Sequence, residues 1–358
     1  MSLAHVRRRH ETFCARFGLR VPILLAPMAG VPAPSLSIAV TNAGGAGACG
    51  VLLMQPREIV DWVAEVRAQS AGPYQLNTWI PDPPPARDAL HESVVRDFLA
   101  QWGPAVPASA GDAPLPDFDA QTTAMLEASP PIISSVMGLY PPHFVRQLKA
   151  RGIAWFATAT TVAEARAAEA AGADVIIAQG AEAGGHRGAF DARAAERAQV
   201  GLVSLVPAVV DAVDIPIVAT GGIADARGIA AALILGASAV QIGTGFLRCP
   251  EAGISRAWAG ALARTAPEDT VVNRVFSGRA GRSIRTEYVR AALSDDAPRP
   301  APYPVQRGLT APMRKQGVET DDVDRLQAWA GQSAAMARAT EAGEVVRTLW
   351  DGAQRFLR

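Results

Sequence analysis

Residues 173–188 read Ala-Asp-Val-Ile-Ile-Ala-Gln-Gly-Ala-Glu-Ala-Gly-Gly-His-Arg-Gly, and the run changes chemistry at its midpoint. Val175, Ile176, Ile177 and Ala178 form a short, largely β-branched stretch of the kind buried on both faces of a parallel sheet. From Gln179 to Gly188 the chain turns polar and glycine-rich, with no bulky apolar side chain to anchor it. Such a loop at the end of a strand builds a binding surface. Its glycines let a ligand approach the backbone closely, Gln179 carries both donors and acceptors, and His186 is the side chain whose ordinary pKa lies near neutrality. Taken alone, His186 reads equally well as a solvated histidine in a strand-to-helix turn. The neighbouring units decide.

On both sides of this stretch the same alternation repeats. Apolar strands are expected over residues 22–30, 42–50, 74–79, 131–137, 153–158, 174–179, 215–219 and 239–242. Helices are expected between them, for example over 57–69, where Ile59, Val60, Val63 and Val66 recur at helical spacing. Eight such units within residues 21–250 point to an α/β fold, a closed (β/α)8 TIM barrel, whose active sites form at the C-terminal strand ends. Met28, Asn77, Ser134, Thr158, Gln179 and Gln241 fall at or just past those ends. An open doubly wound sheet would carry a G-x-G-x-x-G after its first strand, and that motif is missing. A leading helix is expected within residues 1–20. A Pro-rich excursion, residues 81–116, follows the third strand and holds a helix over 87–102. Residues 251–358 form a C-terminal helical and lid segment with final helices at 321–339 and 342–357.

Composition narrows the function classes. The chain has 358 residues, 49% of them hydrophobic, enough for one barrel with extensions. Lys plus Arg and Asp plus Glu both number 34, so there is no net charge to draw nucleic acid or an anionic membrane surface. Arg7, Arg8 and Arg9 are followed by no apolar run, unlike a secretory signal, and the most apolar stretch, 229–246, is broken by glycines and polar residues, so no membrane span is expected. Cys14, Cys49 and Cys249 lack the paired spacing of a zinc site or a disulfide framework. A metal-free protein of the reducing cytoplasm is the expectation.

The loops after the seventh and eighth strands carry Gly221 with Gly222, and Gly243, Thr244 and Gly245. In barrels these two loops cradle phosphate on free backbone N–H groups. Together with Pro22-Ile23, Ala26-Pro27-Met28, Asn42-Ala43-Gly44-Gly45, the run from Gln179 to Gly188, Ala219-Thr220-Gly221-Gly222-Ile223 and Gln241-x-Gly243-Thr244, the chain resembles the nitronate monooxygenases. The resemblance extends to Phe276-Ser277-Gly278-Arg279 and Trp329-Ala330-Gly331-Gln332-Ser333. It implies non-covalent FMN across the barrel mouth and His186 as the catalytic residue. By motif position it implies Asn77, Gln179, Gly184, Gly222, Gln241, Ile242, Gly243 and Thr244 as flavin-binding residues, with Gly221 beside the phosphate and Met28 near the ring. It further implies a small alkyl nitronate and dioxygen as substrates, carbonyl compound and nitrite as products, and leaves a homo-oligomer open.

For His186 two roles compete: protonated, it pairs with the nitro oxygens; neutral, it takes the α-proton of a nitroalkane. Glu182 reads more readily as an orienting carboxylate than as a catalytic one. The arginines at 274, 279, 282, 285 and 290 read as a solvated or salt-bridged face rather than a phosphate site. Tyr303 is within the segment that could reach the substrate. Alternatives are an FMN-dependent enoyl reductase or NADH:quinone reductase of the same barrel group, a flavin-binding module without turnover, and a phosphate-sugar isomerase barrel.

Overall fold

The eight short apolar runs do form eight parallel strands in the computed structural model, which describes residues 2–31 and 33–358. In chain order the described strands, those eight and three of a small antiparallel sheet (β7, β10 and β11), are β1 (Ile23–Leu25), β2 (Gly47–Gly50), β3 (Tyr74–Trp79), β4 (Ile132–Val136), β5 (Ala154–Ala159), β6 (Val175–Gln179), β7 (Gly185–His186), β8 (Ile217–Thr220), β9 (Ala239–Ile242), β10 (Thr270–Asn273) and β11 (Gly281–Ile284). The barrel order is β1-β9-β8-β6-β5-β4-β3-β2, and a parallel bridge between Leu24 and Ala46 closes it. No described helix is long and apolar enough to cross a membrane.

Strand alternation sorts the side chains into two layers. Outward-facing Ile23, Leu25, Leu76, Ile133, Trp155, Ile176, Ile217, Val240 and Ile242 pack under the helices in the main core. Inward-facing Leu24, Ile132, Phe156, Val175, Ile177, Val218 and Ala239 fill the lower barrel with Phe13, Cys14 and Leu19, so the leading helix Leu3–Phe17 and the turn after it plug the bottom. One turn higher the inward positions become Gln75, Asn77, Ser134, Thr158, Gln179, Thr220 and Gln241, all buried. The barrel interior is therefore apolar below and amide- and hydroxyl-lined at the top. That change of chemistry is what turns a packed barrel into a site.

Three departures from the sequence reading lie outside the repeats. The helix that crosses from β3 to β4 is Phe118–Ala128, capped by the Asp117 carboxylate on the Ala120 N–H and packed on Pro56–Gln69; its alanine-rich face has little periodicity to find. The excursion helix Ala89–Leu99 instead joins a second apolar cluster, where Val95, Leu99 and Val106 meet Val275, Phe276, Tyr288, Val305 and Met313. A helix over 321–339 is not formed. The helix Ala311–Glu319 ends before that span, and the chain that follows runs through turns and irregular backbone held by specific ties: the Asp321 carboxylate accepts from the Ala257 N–H, and Trp329 bridges to Ser283. The final helix Ala342–Phe356 packs on Ala226–Ile234 through a strongly one-sided apolar face that includes Val345, Val346 and Leu349.

Candidate active site

The polar upper layer of the barrel opens into a cavity of about 500 Å³. Met28, Asn77, Gln179, Gly184, His186, Gly221, Gly222, Gln241, Gly243 and Thr244 all line it. Ile242 does not. It sits one residue from Gln241 on β9, so its side chain faces outward into the helical core, and its carbonyl accepts the Ala26 N–H at 2.9 Å.

The loop after β6 is braced from several sides. Gln179 donates from Nε2 to the His186 carbonyl at 3.2 Å and accepts the Gly188 N–H on Oε1 at 2.8 Å. The buried Arg187 guanidinium donates to the carbonyls of Gln179 and Ala198 at 2.6 and 3.0 Å. Glu182 faces away from the cavity: both carboxylate oxygens take the Leu202 N–H, at 2.9 and 3.0 Å, capping the helix Leu202–Val210. A negative charge there complements the helix dipole, which is the orienting role rather than the catalytic one. Gly184 is required by contact. A Cβ on it would lie 2.4 Å from the Gly331 nitrogen, because residues 330–332 cross directly over the loop, with Gly331 N–H bonded to Thr244 Oγ1 at 3.0 Å and Gln332 N–H to the Glu182 carbonyl.

His186 extends from β7, which pairs with β11 through Gly281 opposite His186. Its Nε2 is 2.7 Å from Ser277 Oγ. The ring stands edge-on to Trp79 and Trp329, with centroids 4.6 and 4.7 Å away, and Tyr303 lies 5.6 Å beyond Trp79. Burial, followed by the Arg279 and Arg307 charges, pushes the His186 pKa down to about 3. The imidazole is neutral at physiological pH. With Nε2 engaged by Ser277, Nδ1 is the nitrogen left for a ligand.

Of the second wall of the cavity, the sequence reading pointed to Tyr303, and Arg307 and Arg314 carried no signal there. Tyr303, Arg307, Arg314 and Trp329 line it. The buried Tyr303 hydroxyl has no protein partner among the described residues, and burial first pushes its pKa up to about 12, so it remains a donor. Burial lowers the Arg307 pKa. No carboxylate pairs with Arg307 among the described residues, so it presents positive charge to the cavity near His186. Among the arginines read as a solvated or salt-bridged face, none lines the cavity, and Arg279 is of the salt-bridged kind and 1% exposed. It makes an ion pair with Asp82 and donates to the Ala189 carbonyl, backing the turn that holds Ser277. A charge run with no partner close in sequence cannot reveal a carboxylate 197 residues away.

The chain matches a family model described as nitronate monooxygenase over residues 12–352. A nitronate monooxygenase of Pseudomonas aeruginosa is 36% identical over 344 residues, 95% of this chain and 98% of that one. A nitronate monooxygenase of Paraburkholderia phytofirmans is 36% identical over 93% of this chain and 92% of its own. Among solved structures, a nitroalkane oxidase from Streptomyces ansochromogenes superposes with a TM-score of 0.86 at 35% identity, covering 94% of this chain and 97% of that one. FabK from Thermotoga maritima superposes with a TM-score of 0.74 at 26% identity and 96% coverage of both chains.

Proposed function

The chain belongs to the nitronate monooxygenase family, and on that premise we propose that it oxidises alkyl nitronates with dioxygen to a carbonyl compound and nitrite, with FMN held across the barrel mouth. It is an oxidoreductase. The cavity's own polar groups fit a flavin. Asn77 donates to Ser134 Oγ at 3.0 Å, which leaves its carbonyl oxygen on the cavity, and Gln241 accepts from Gln75 at 2.9 Å, which leaves its NH2 there. One acceptor and one donor suit an imide edge, in which an N–H lies between two carbonyls. Gly221 and Gly222, at φ 118° and 66°, have backbone that favours glycine, and without a Cβ they let a phosphate approach the chain closely with no lysine. Thr244 begins a short 3-10 turn and so has an N–H with no partner inside that turn.

The bound flavin supplies the electron-accepting chemistry; the side chains supply binding, charge and proton transfer. Neutral His186 can receive the α-proton of a nitroalkane at Nδ1, while Ser277 holds the opposite side of the ring. A neutral imidazole cannot offset the charge of the nitronate. Arg307 and the Tyr303 hydroxyl, a cation and a donor on the facing wall, take that role. Trp79 and Trp329 clamp the imidazole and exclude water around it, which strengthens each of these interactions.

The observation that carries this reading is His186, uncharged and fixed by Ser277 in the wall of a flavin-sized cavity. Anaerobic mixing tests it. The FMN-loaded protein should bleach on adding a nitronate and not on adding NADH or NADPH, and aerobic turnover should release nitrite. Bleaching by a nicotinamide nucleotide and not by nitronate would assign the chain to the reductase chemistry instead.

A further inference from the structure

Beneath the cavity lies a buried amide that does not itself line it. Gln75, on β3, is fully buried, and its Nε2 donates twice: to the Leu25 carbonyl at 3.1 Å and to Gln241 Oε1 at 2.9 Å. We propose that Gln75 is a positioning residue whose amide orients Gln241 so that the Gln241 NH2 always faces the flavin. This rests on the FMN reading above.

The orientation follows from what each group can do. A backbone carbonyl only accepts, so Leu25 requires the NH2 of Gln75 on its side. Leu25 is at the seam of the barrel, where β1 and β2 meet through a single bridge rather than a full ladder, and its carbonyl draws on this side chain. With Gln75 so turned, Gln241 can meet it only with oxygen, and its nitrogen must point up into the cavity. The structure accepts a penalty for this arrangement, since Gln75 Oε1 is buried with no partner among the described residues. Rotating Gln75 would place two oxygens face to face at Leu25 and would let Gln241 rotate as well. The cavity would then show an acceptor where it now shows a donor. A glutamine free to rotate would present a mixture of the two, which favours no single ligand edge.

The test uses Gln75→Met, Gln241→Met and the double variant, since methionine is close in volume and has no amide. Each apoprotein is titrated with FMN by quenching of flavin fluorescence, and the flavin midpoint potential is measured by dye equilibration. Gln75→Met should weaken FMN about tenfold, the effect of one lost hydrogen bond, and move the potential in the negative direction. Gln241→Met should do at least as much, and the double variant no more than Gln241→Met alone, because Gln75 acts only through Gln241. Apoprotein melting curves report any loss of fold. Should Gln75→Met fold poorly, Gln241→Glu decides: it still accepts from Gln75 but shows an oxygen to the cavity, and should bind FMN more weakly than Gln241→Met. Wild-type affinity in Gln75→Met or Gln241→Glu, or losses that add in the double variant, would overturn the assignment. A wild-type apoprotein that does not take up FMN would instead overturn the flavin reading itself.

Discussion

The two walls of the cavity are built by different means. One wall is backbone: the loops after β6, β8 and β9, where Gly184, Gly221, Gly222 and Gly243 leave N–H groups and close contacts. The other is side chain: Trp79 from a strand end, with Tyr303, Arg307, Arg314 and Trp329 from the C-terminal segment. The first is suited to a group common to a whole family of barrels, because every residue has a backbone. The second carries charge and shape and is suited to selecting what reacts. Variants at the glycines of the first wall should therefore change flavin affinity and leave turnover per bound flavin intact, and variants in the aromatic and arginine wall, or at His186 which faces it, should do the reverse.

The largest effect expected is at His186. His186→Asn should keep FMN and lose about 10²- to 10⁴-fold in turnover with neutral nitroalkanes, the usual worth of a positioned base, measured by nitrite release and flavin absorbance. Turnover near wild type would move the base to another residue. Next comes the support behind it. Asp82→Asn leaves Arg279 buried without its carboxylate and should cost about 3 kcal/mol in urea unfolding, because an uncompensated buried cation is strongly unfavourable. Unchanged stability would separate Arg279 from the architecture of the wall.

The glycine wall is broken most directly by Gly184→Ala, whose methyl group would collide with the backbone of Gly331. Overpacking of this kind costs about 2 kcal/mol, and here it should be read as a roughly 30-fold loss in FMN affinity with near-normal turnover at saturating FMN. A turnover defect that persists at saturation would erase the division between the walls. Arg307→Gln should raise the KM for nitronate by about tenfold, the loss of one charge-assisted contact, and leave FMN affinity alone. The smallest effect expected is of pH. Because the folded-state pKa of His186 is pushed down to about 3, the base stays deprotonated on the acid side of neutrality, and kcat/KM with a neutral nitroalkane should show no His limb between about pH 8 and pH 5. By linkage, the stability tied to the neutral imidazole is full above the unfolded value near 6.5 and is lost as pH falls toward 3. An activity limb near 6.5 would mean that His186 meets solvent.

How much of this could be read in the chain depended on where the signal lived. The barrel strands were legible because each repeats a short apolar run ended by glycine or a polar residue, and the strand period placed Gln179 and Gln241 inward. The same period turns the Ile242 side chain away from the cavity, since neighbours on a strand face opposite sides, and leaves only its backbone on the strand end there. The helix Phe118–Ala128 and the hairpin of β10 and β11 carried no comparable pattern, and the irregular course of residues 321–333 is imposed by Asp321, Trp329 and Gly331 rather than by local preference.

The residue order alone determined a glycine-looped (β/α)8 barrel with a histidine at its mouth, because periodicity and the absence of a Cβ are local properties. Only the folded chain decided that the histidine is uncharged, that Ser277, 91 residues away, holds it, and that Arg307 faces it. Burial and charge act through space, and the groups that set the His186 proton affinity are brought together by packing from distant parts of the chain.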